Sequence, residues 1–316
     1  MSLSASATLS PGVSRGLIMI VGAMLITSVQ DVIFKLFSSA LPLGQIFVLR
    51  AMLAILLLMV LAAVHHVQRG LWAQALSRWV LLRSALMTLF FLAFYGSIPF
   101  ASLAVLGAGA YTAPIFVVLL AAYFSAEPVG FRGWIAVAIG FAGVLFLLQP
   151  GTEAFSIWAL PPVVGAGFYA MAHVITRLKC RDVSTVTLAL SLKLAIMAGG
   201  LLASLGVLLW QPDQALVAAY PYLLGRWQPV SQQDWGILCI LAVLTVAIGL
   251  SIAGAYKAAQ PTTVATFEYS YLVFAVAWDI LVFQVVPGMA SALGLVMIAG
   301  AGWLAMHPAT VATARR

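Results

Sequence analysis

Charge is scarce in this chain. Charged residues are 7% of the 316, against roughly 25% in a soluble domain, and only eight are acidic. Hydrophobic residues make up 64%, and mean hydropathy is +1.12. So little polar surface excludes a water-soluble fold and points to an all-α polytopic membrane protein. Apolar runs of about 20 residues, with no short alternating segments, indicate helical spans rather than barrel strands. Cys180 and Cys239 are too few and too far apart for a disulfide framework, and four scattered histidines add no metal-ligand spacing. No cofactor and no metal are expected. No nucleophile–base set is visible, so no enzyme is expected. "GAGA" at Gly107–Ala110 lies inside an apolar stretch rather than after a strand, so it is not a phosphate loop. That excludes ATP-driven transport by this chain alone.

What the chain does have is hydrophobic length. Ten candidate spans can be laid out at roughly 20 residues each. The first five are Gly16–Phe37, Gln45–Val64, Trp79–Ile98, Ser102–Phe124 and Phe131–Leu148. The second five are Phe155–Ile175, Ser184–Trp210, Trp235–Tyr256, Thr262–Phe283 and Pro287–Met306. The first run contains Asp31 and Lys35 and is too long for a signal peptide, so it is expected to stay as a helix. The longest connections, His65–Arg78 and Trp210–Asp234, are too small for a soluble domain.

Placing the N-terminus in the cytoplasm puts Arg15, Arg69, Arg78, Arg83, Arg132, Arg177, Lys179, Arg181, Lys257, Arg315 and Arg316 inside. Only Arg226 and Lys35 fall outside, so both termini are expected in the cytoplasm. The net charge of +7 therefore records topology in the cytoplasmic (inner) membrane, and nucleic acid is not an expected partner.

The two sets of five also resemble each other. "APIFVVLLAAYFSAEPVGFRGWIAVAIGFAGVLFLLQP" (Ala113–Pro150) lies over "SYLVFAVAWDILVFQVVPGMASALGLVMIAGAGWLAMHP" (Ser270–Pro308) with one gap. "VLRAMLAI" over "SLKLAIMA" sets Arg50 opposite Lys193. This predicts a five-helix repeat at residues 1–152 and a second at 153–316. Five is odd, so the second repeat enters the membrane inverted, a common plan among secondary transporters. On these residues the chain resembles the drug/metabolite transporter superfamily and, within it, the EamA-type carriers. The resemblance rests on "QDVIFK", "QIFVLRA" and "APIFVVLLAAYFSAEPV" ending in Glu127. In the second half it rests on "AYKAAQPTTVATFEYSYLVFAVAWDILVF", which matches the family's A-Y-x-x-A followed by F-E-Y. It implies a ten-helix carrier of small solutes. One departure stands out: the usual acid closing the ninth helix is Gln284.

Buried polar residues are the candidate site. Glu268 and Asp279 are eleven residues apart, about 20° from a whole number of turns and roughly 16 Å along the axis, so they share a helix face with Leu272 and Ala275. A carboxylate at that depth costs about 2.5–3.5 kcal/mol against lipid, so the stripe should face the bundle interior. Glu268 is a candidate for binding substrate or carrying a coupling proton; Asp279, nearer the surface, is the weaker candidate. Arg50 and Lys193 either bind an anionic group or neutralise Asp279 and Glu268, respectively, at comparable depth. Asp31 either pairs with Lys35 one turn away or lines a mouth. Tyr111, three residues before Pro114, and Tyr271, at the position corresponding to Pro114, are expected as aromatic walls of a central pocket. His173 reads as an interfacial histidine. Gly140, Gly143, Gly294, Gly300 and Gly302 should let the fifth and tenth helices approach closely.

Together these features suggest a secondary carrier of a zwitterionic or amphipathic metabolite, such as an amino acid, working by alternating access with membrane lipids around it. A lipid translocator is the alternative reading. An enzyme acting on lipid through His65–His66 or His173 has less support, since those histidines have no carboxylate beside them. Oligomeric state is left open, a homodimer included.

Overall fold

The computed structural model describes residues 11–64, 70–113, 115–116, 119–120, 131–149, 156–258 and 267–306. Among them there is no strand. The helices are α1 (Pro11–Phe37), α2 (Leu43–Val64), α3 (Leu71–Ala75), α4 (Arg78–Gly96), α5 (Leu103–Ala110) and α6 (Phe131–Leu148). After a 3-10 turn at Ile157–Ala159 come α7 (Leu160–Lys179), α8 (Thr185–Trp210), α9 (Gln214–Ala219) and α10 (Pro221–Leu224). The chain continues with α11 (Gln232–Ala258), α12 (Ser270–Leu281) and α13 (Met289–Met306). Among the described residues six helices are long and apolar enough to cross a membrane, and three shorter apolar helices lie in α6, α12 and α13. The chain is an all-α, multi-pass membrane protein.

Starts and stops follow local chemistry. The Ser102, Ser184 and Asp213 side chains accept the first free amides of α5, α8 and α9, replacing partners that a helix start lacks. Proline sits in the first turn of α7, where its missing N–H costs nothing. Apolar residues face outward as readily as inward: Leu56, Val60, Leu202 and Leu209 are all exposed. In water that surface would aggregate; in a bilayer it meets acyl chains.

Two expected spans are not continuous helices. The fourth stops at Ala110 and turns at Tyr111–Thr112 before helical geometry resumes. The Thr112 hydroxyl donates to the Gly109 carbonyl, and Ile115 N–H reaches back three residues to the Thr112 carbonyl. The ninth has a turn at Tyr269, after which Leu272 N–H reaches back three residues to the Tyr269 carbonyl.

Packing runs in matched sets. α1 packs on α11 as α4 packs on α7; α2 packs on α11 as α4 packs on α8; α1 packs on α12 as α5 packs on α7. α2 with α8, α5 with α12 and α6 with α13 complete the bundle. Glycine sets two of these crossings. A methyl group at Gly143 would stand 3.0 Å from the Gly294 carbonyl, and one at Gly294 only 2.7 Å from the Gly143 carbonyl. Gly44 and Gly200 meet in the same reciprocal way, at 2.9 and 2.7 Å. Gly140 is packed against Ile115 and Ala301, whereas Gly300 faces open space and so is not one of the close-approach positions.

Candidate functional site

The two interrupted helices face each other. Tyr111, at the break after α5, stacks on Tyr271 of α12 with ring centroids 5.5 Å apart. It also lies 5.3 Å from the ring of Tyr269, at the second break. The Tyr269 hydroxyl donates to the Tyr111 carbonyl at 3.4 Å, using backbone that the break leaves available. A methyl group at Gly107 would come within 2.5 Å of the Tyr271 ring, so the glycine of "GAGA" makes room for that tyrosine. Glu268 stands at the rim of this cage, half-buried and within electrostatic reach of Tyr111, Tyr169 and Tyr269.

Asp31 anchors the cage from α1. It is buried, and its oxygens accept from the Tyr95 hydroxyl at 2.9 Å and the Tyr271 hydroxyl at 2.8 Å. Tyr95 in turn accepts from the Gln30 amide at 2.9 Å. Arg50 stacks on Phe34 and Tyr95, 5.2 and 5.3 Å from their ring centroids, within electrostatic reach of Asp31. Asp31 therefore looks to tyrosines and not to Lys35, although the two are one turn apart. Lys35 turns away and donates to the Ala101 carbonyl at 2.6 Å, over the Phe283 ring.

Two further pairings suggested by depth alone do not form. Asp279 does not meet Arg50. Its two oxygens accept the Leu103 and Ala104 amides at 2.9 and 2.7 Å, capping α5 from another helix. A carboxylate there satisfies orphan donors and the positive end of the helix dipole. Lys193 donates to Thr245 on α11 at 3.1 Å rather than to Glu268. Depth fixes the level of a side chain but not the direction in which it leaves the helix.

Asp279 belongs to a set of contacts that ties the halves together at the Lys35 end of the bundle. Gln45 exchanges two hydrogen bonds with the Gln228 backbone. The Tyr222 hydroxyl donates to the Tyr95 carbonyl. Phe100, Trp158 and Tyr220 form an aromatic cluster, with Phe100 and Trp158 stacked at 4.1 Å.

The structure thus brings Tyr111, Tyr271, Asp31 and Glu268 together, places Arg50 behind Tyr95, and removes Asp279 to the Lys35 end. Glu127 and His65–His66 lie outside the described residues. His173 is exposed, with its ring tilted against that of Tyr169 at 4.2 Å between centroids. Tyr95 and Tyr269 are two of several aromatic residues within the spans, with nothing in the sequence to set them apart as site residues, and Gln30 is marked only by its place beside Asp31 in "QDVIFK". Among the described residues no group of three or more His, Cys, Asp or Glu is placed to hold a metal ion.

Residues 14–149 match the EamA-like transporter family. A riboflavin transporter of Vibrio cholerae serotype O1 is 29% identical over 56% of this chain, and the match spans 53% of that protein's length. The pseudopaline exporter CntI of Pseudomonas aeruginosa is 25% identical over 90% of this chain and 93% of its own. An S-adenosylmethionine uptake transporter of Rickettsia felis is 22% identical over 60% of this chain and 58% of its own. One crystal structure superposes with a TM-score of 0.57 at 17% identity, covering 92% of this chain and 96% of that one, a likeness of fold.

Proposed function

We propose that the chain is a member of the drug/metabolite transporter superfamily, a secondary carrier moving a small organic metabolite across the cytoplasmic membrane by alternating access. The observation that carries this reading is the pair of broken helices. With Ala113 laid over Ser270, Thr112 corresponds to Tyr269 and Ile115 to Leu272. The two three-residue backbone bonds at the breaks are then equivalent. Discontinuous helices at corresponding positions of two halves are the best pointer to a transporter's binding site.

Two repeats, at 1–152 and 153–316, also account for the packing. Exchanging the halves turns α1 on α11 into α7 on α4, and α2 on α11 into α8 on α4. It turns α1 on α12 into α7 on α5, and each partner of every such pair is observed. The pairs α2–α8, α5–α12 and α6–α13 map onto themselves. This supports inverted repeats related by a two-fold axis in the membrane plane, with both termini cytoplasmic and the Lys35 end outside. A bundle built this way has two arrangements of similar energy, one open to each side. Opening outward would part the Phe100–Trp158–Tyr220 cluster and the Gln45–Gln228 bonds.

The residues of the cage set what a solute must offer. Tyr111, Tyr269 and Tyr271 offer flat apolar walls, Glu268 supplies an acceptor for a donor or cationic group, and Asp31 holds Tyr271 in place. A zwitterionic or amphipathic metabolite suits that mixture. The relatives named for riboflavin, pseudopaline and S-adenosylmethionine also handle small organic metabolites. Asp279 is left out of the pocket, because the α5 amides occupy it. Glu268 is the candidate for a coupling proton, and transport indifferent to an imposed pH gradient removes that part of the reading.

The test is ligand-induced thermal stabilisation of the purified protein across amino acids, polyamines, nucleosides, sugars and vitamins. A ligand at 100 times its Kd adds about 2.7 kcal/mol. A compound that stabilises the wild type but not Glu268→Gln or Tyr111→Ala, with both variants folded, supports the site. No stabilising compound, or equal stabilisation of all three proteins, overturns it.

A further inference from the structure

Three cations, Arg50, Lys193 and Arg83, lie on neighbouring helices inside the bundle. Contacts set their levels. Gly44 lies against Gly200 and Ser204, and Gly200 against Phe47 and Val48. Ile55 and Met59 pack with Leu190 and Leu194 further along. α2 and α8 are therefore antiparallel, and Lys193 lies level with the α2 residues about one turn beyond Arg50, roughly 6 Å along the axis. The Arg83 guanidinium donates to the Leu188 carbonyl at 3.3 Å, which places it about another turn along. The result is a ladder of three positive charges.

Among the described residues, the contacts seen for these three side chains are to rings, a hydroxyl and a carbonyl. Arg50 is 3% exposed and Lys193 is 8%. Asp31, within electrostatic reach of Arg50, already accepts two tyrosine hydroxyls, and Asp279 accepts two amides. The bond Lys193 makes goes to a neutral hydroxyl. Arg50 Nη1 and Arg83 Nε are buried with no hydrogen-bond partner among the described residues. Buried charges left unpaired cost several kcal/mol each, and unmet buried donors are rare enough to need a cause.

We propose that Arg50 and Lys193 form an anion subsite that receives a carboxylate or phosphate group of the transported solute, with Arg83 as the next cation along its path. This rests on the carrier reading above and sharpens its solute to one bearing an anion. The subsite adjoins the tyrosine cage through a continuous relay: Tyr271 holds Asp31, Asp31 holds Tyr95, and Arg50 lies over the Tyr95 ring. A solute ring packed against the edge of the Tyr111–Tyr271 stack would place its acidic group towards Arg50. Guanidinium groups match carboxylate and phosphate in a two-bond fork, and an ammonium beside them adds a point charge.

The test uses ring compounds that differ only in charge: benzoate, phenylphosphonate and neutral benzamide. Their stabilisation of the purified full chain is titrated at constant ionic strength in the wild type, Lys193→Met, Lys193→Arg and Tyr111→Ala. Anions should bind the wild type and Lys193→Arg about 10–100-fold more tightly than benzamide, the span expected of a charge-assisted bond. Lys193→Met should lose that preference while binding benzamide as before. Should Lys193→Met fail to fold, Arg83→Gln takes its place and should narrow the preference. Equal binding of charged and neutral rings, sensitive to Tyr111→Ala, removes the anion subsite and leaves the pocket standing. Absence of saturable binding by all three compounds removes both.

Discussion

The Lys35 end and the middle of the bundle differ in how completely their polar groups are satisfied. At the Lys35 end Asp279 is matched by two amides, Lys35 by a carbonyl, and Gln45 by both polar groups of Gln228. Deeper in the bundle, Gln30 Oε1, Arg50 Nη1, Arg83 Nε and Ser270 Oγ are buried without partners among the described residues. All are described by one chain under one set of packing constraints, so the contrast is informative. Polar groups satisfied by their own protein hold an arrangement together; polar groups left unmet await something else. On the proposed carrier reading, the first set closes an end and the second marks a place for a solute.

The comparison predicts that stability lies at the Lys35 end and affinity in the middle. Asp279→Ala should have the largest stability effect, about 3 kcal/mol or more, because it leaves two buried amides and the start of α5 unmet. Its thermal unfolding would be measured against the wild type, and an unchanged transition would break the comparison at its strongest point. Gly294→Val should follow, at about 1–3 kcal/mol, since its side chain must enter the space of the Gly143 carbonyl. Trp158→Ala should cost less, about 1 kcal/mol, from one arm of an aromatic cluster. It should also shift the protein towards the state open at that end, seen as faster labelling of a cysteine introduced at Phe100. Glu268→Gln should change stability least, within about 0.5 kcal/mol, while weakening ligand binding at least tenfold in the stabilisation titration. A Glu268→Gln protein that unfolds as readily as Asp279→Ala would make Glu268 a structural residue.

Sequence was a good guide to periodic features and a poor one to direction. Helix ends were found within a few residues because hydrophobic runs and their Pro, Gly and Ser boundaries are written locally. Gly143 and Gly294 were legible for the same reason, and the internal alignment brought Tyr111 and Tyr271 to notice as a pair. Depth, however, says nothing about azimuth. Arg50 and Asp279 were matched by level, yet one reaches Tyr95 and the other caps a helix more than 170 positions away in the chain. A cap supplied from another helix leaves no local pattern, which is why the role of Asp279 was not visible. The breaks at Tyr111–Thr112 and Tyr269 were hidden by apolar composition that reads as unbroken span.

Alternating access to the middle of the bundle is the central claim, and cysteine accessibility tests it most directly. Ser270→Cys, in a background with Cys180→Ser and Cys239→Ser, would be reacted in oriented vesicles with a membrane-impermeant thiol reagent applied to each face in turn. The account predicts labelling from both faces and protection by a bound solute. Labelling from one face only, or from neither, would contradict it.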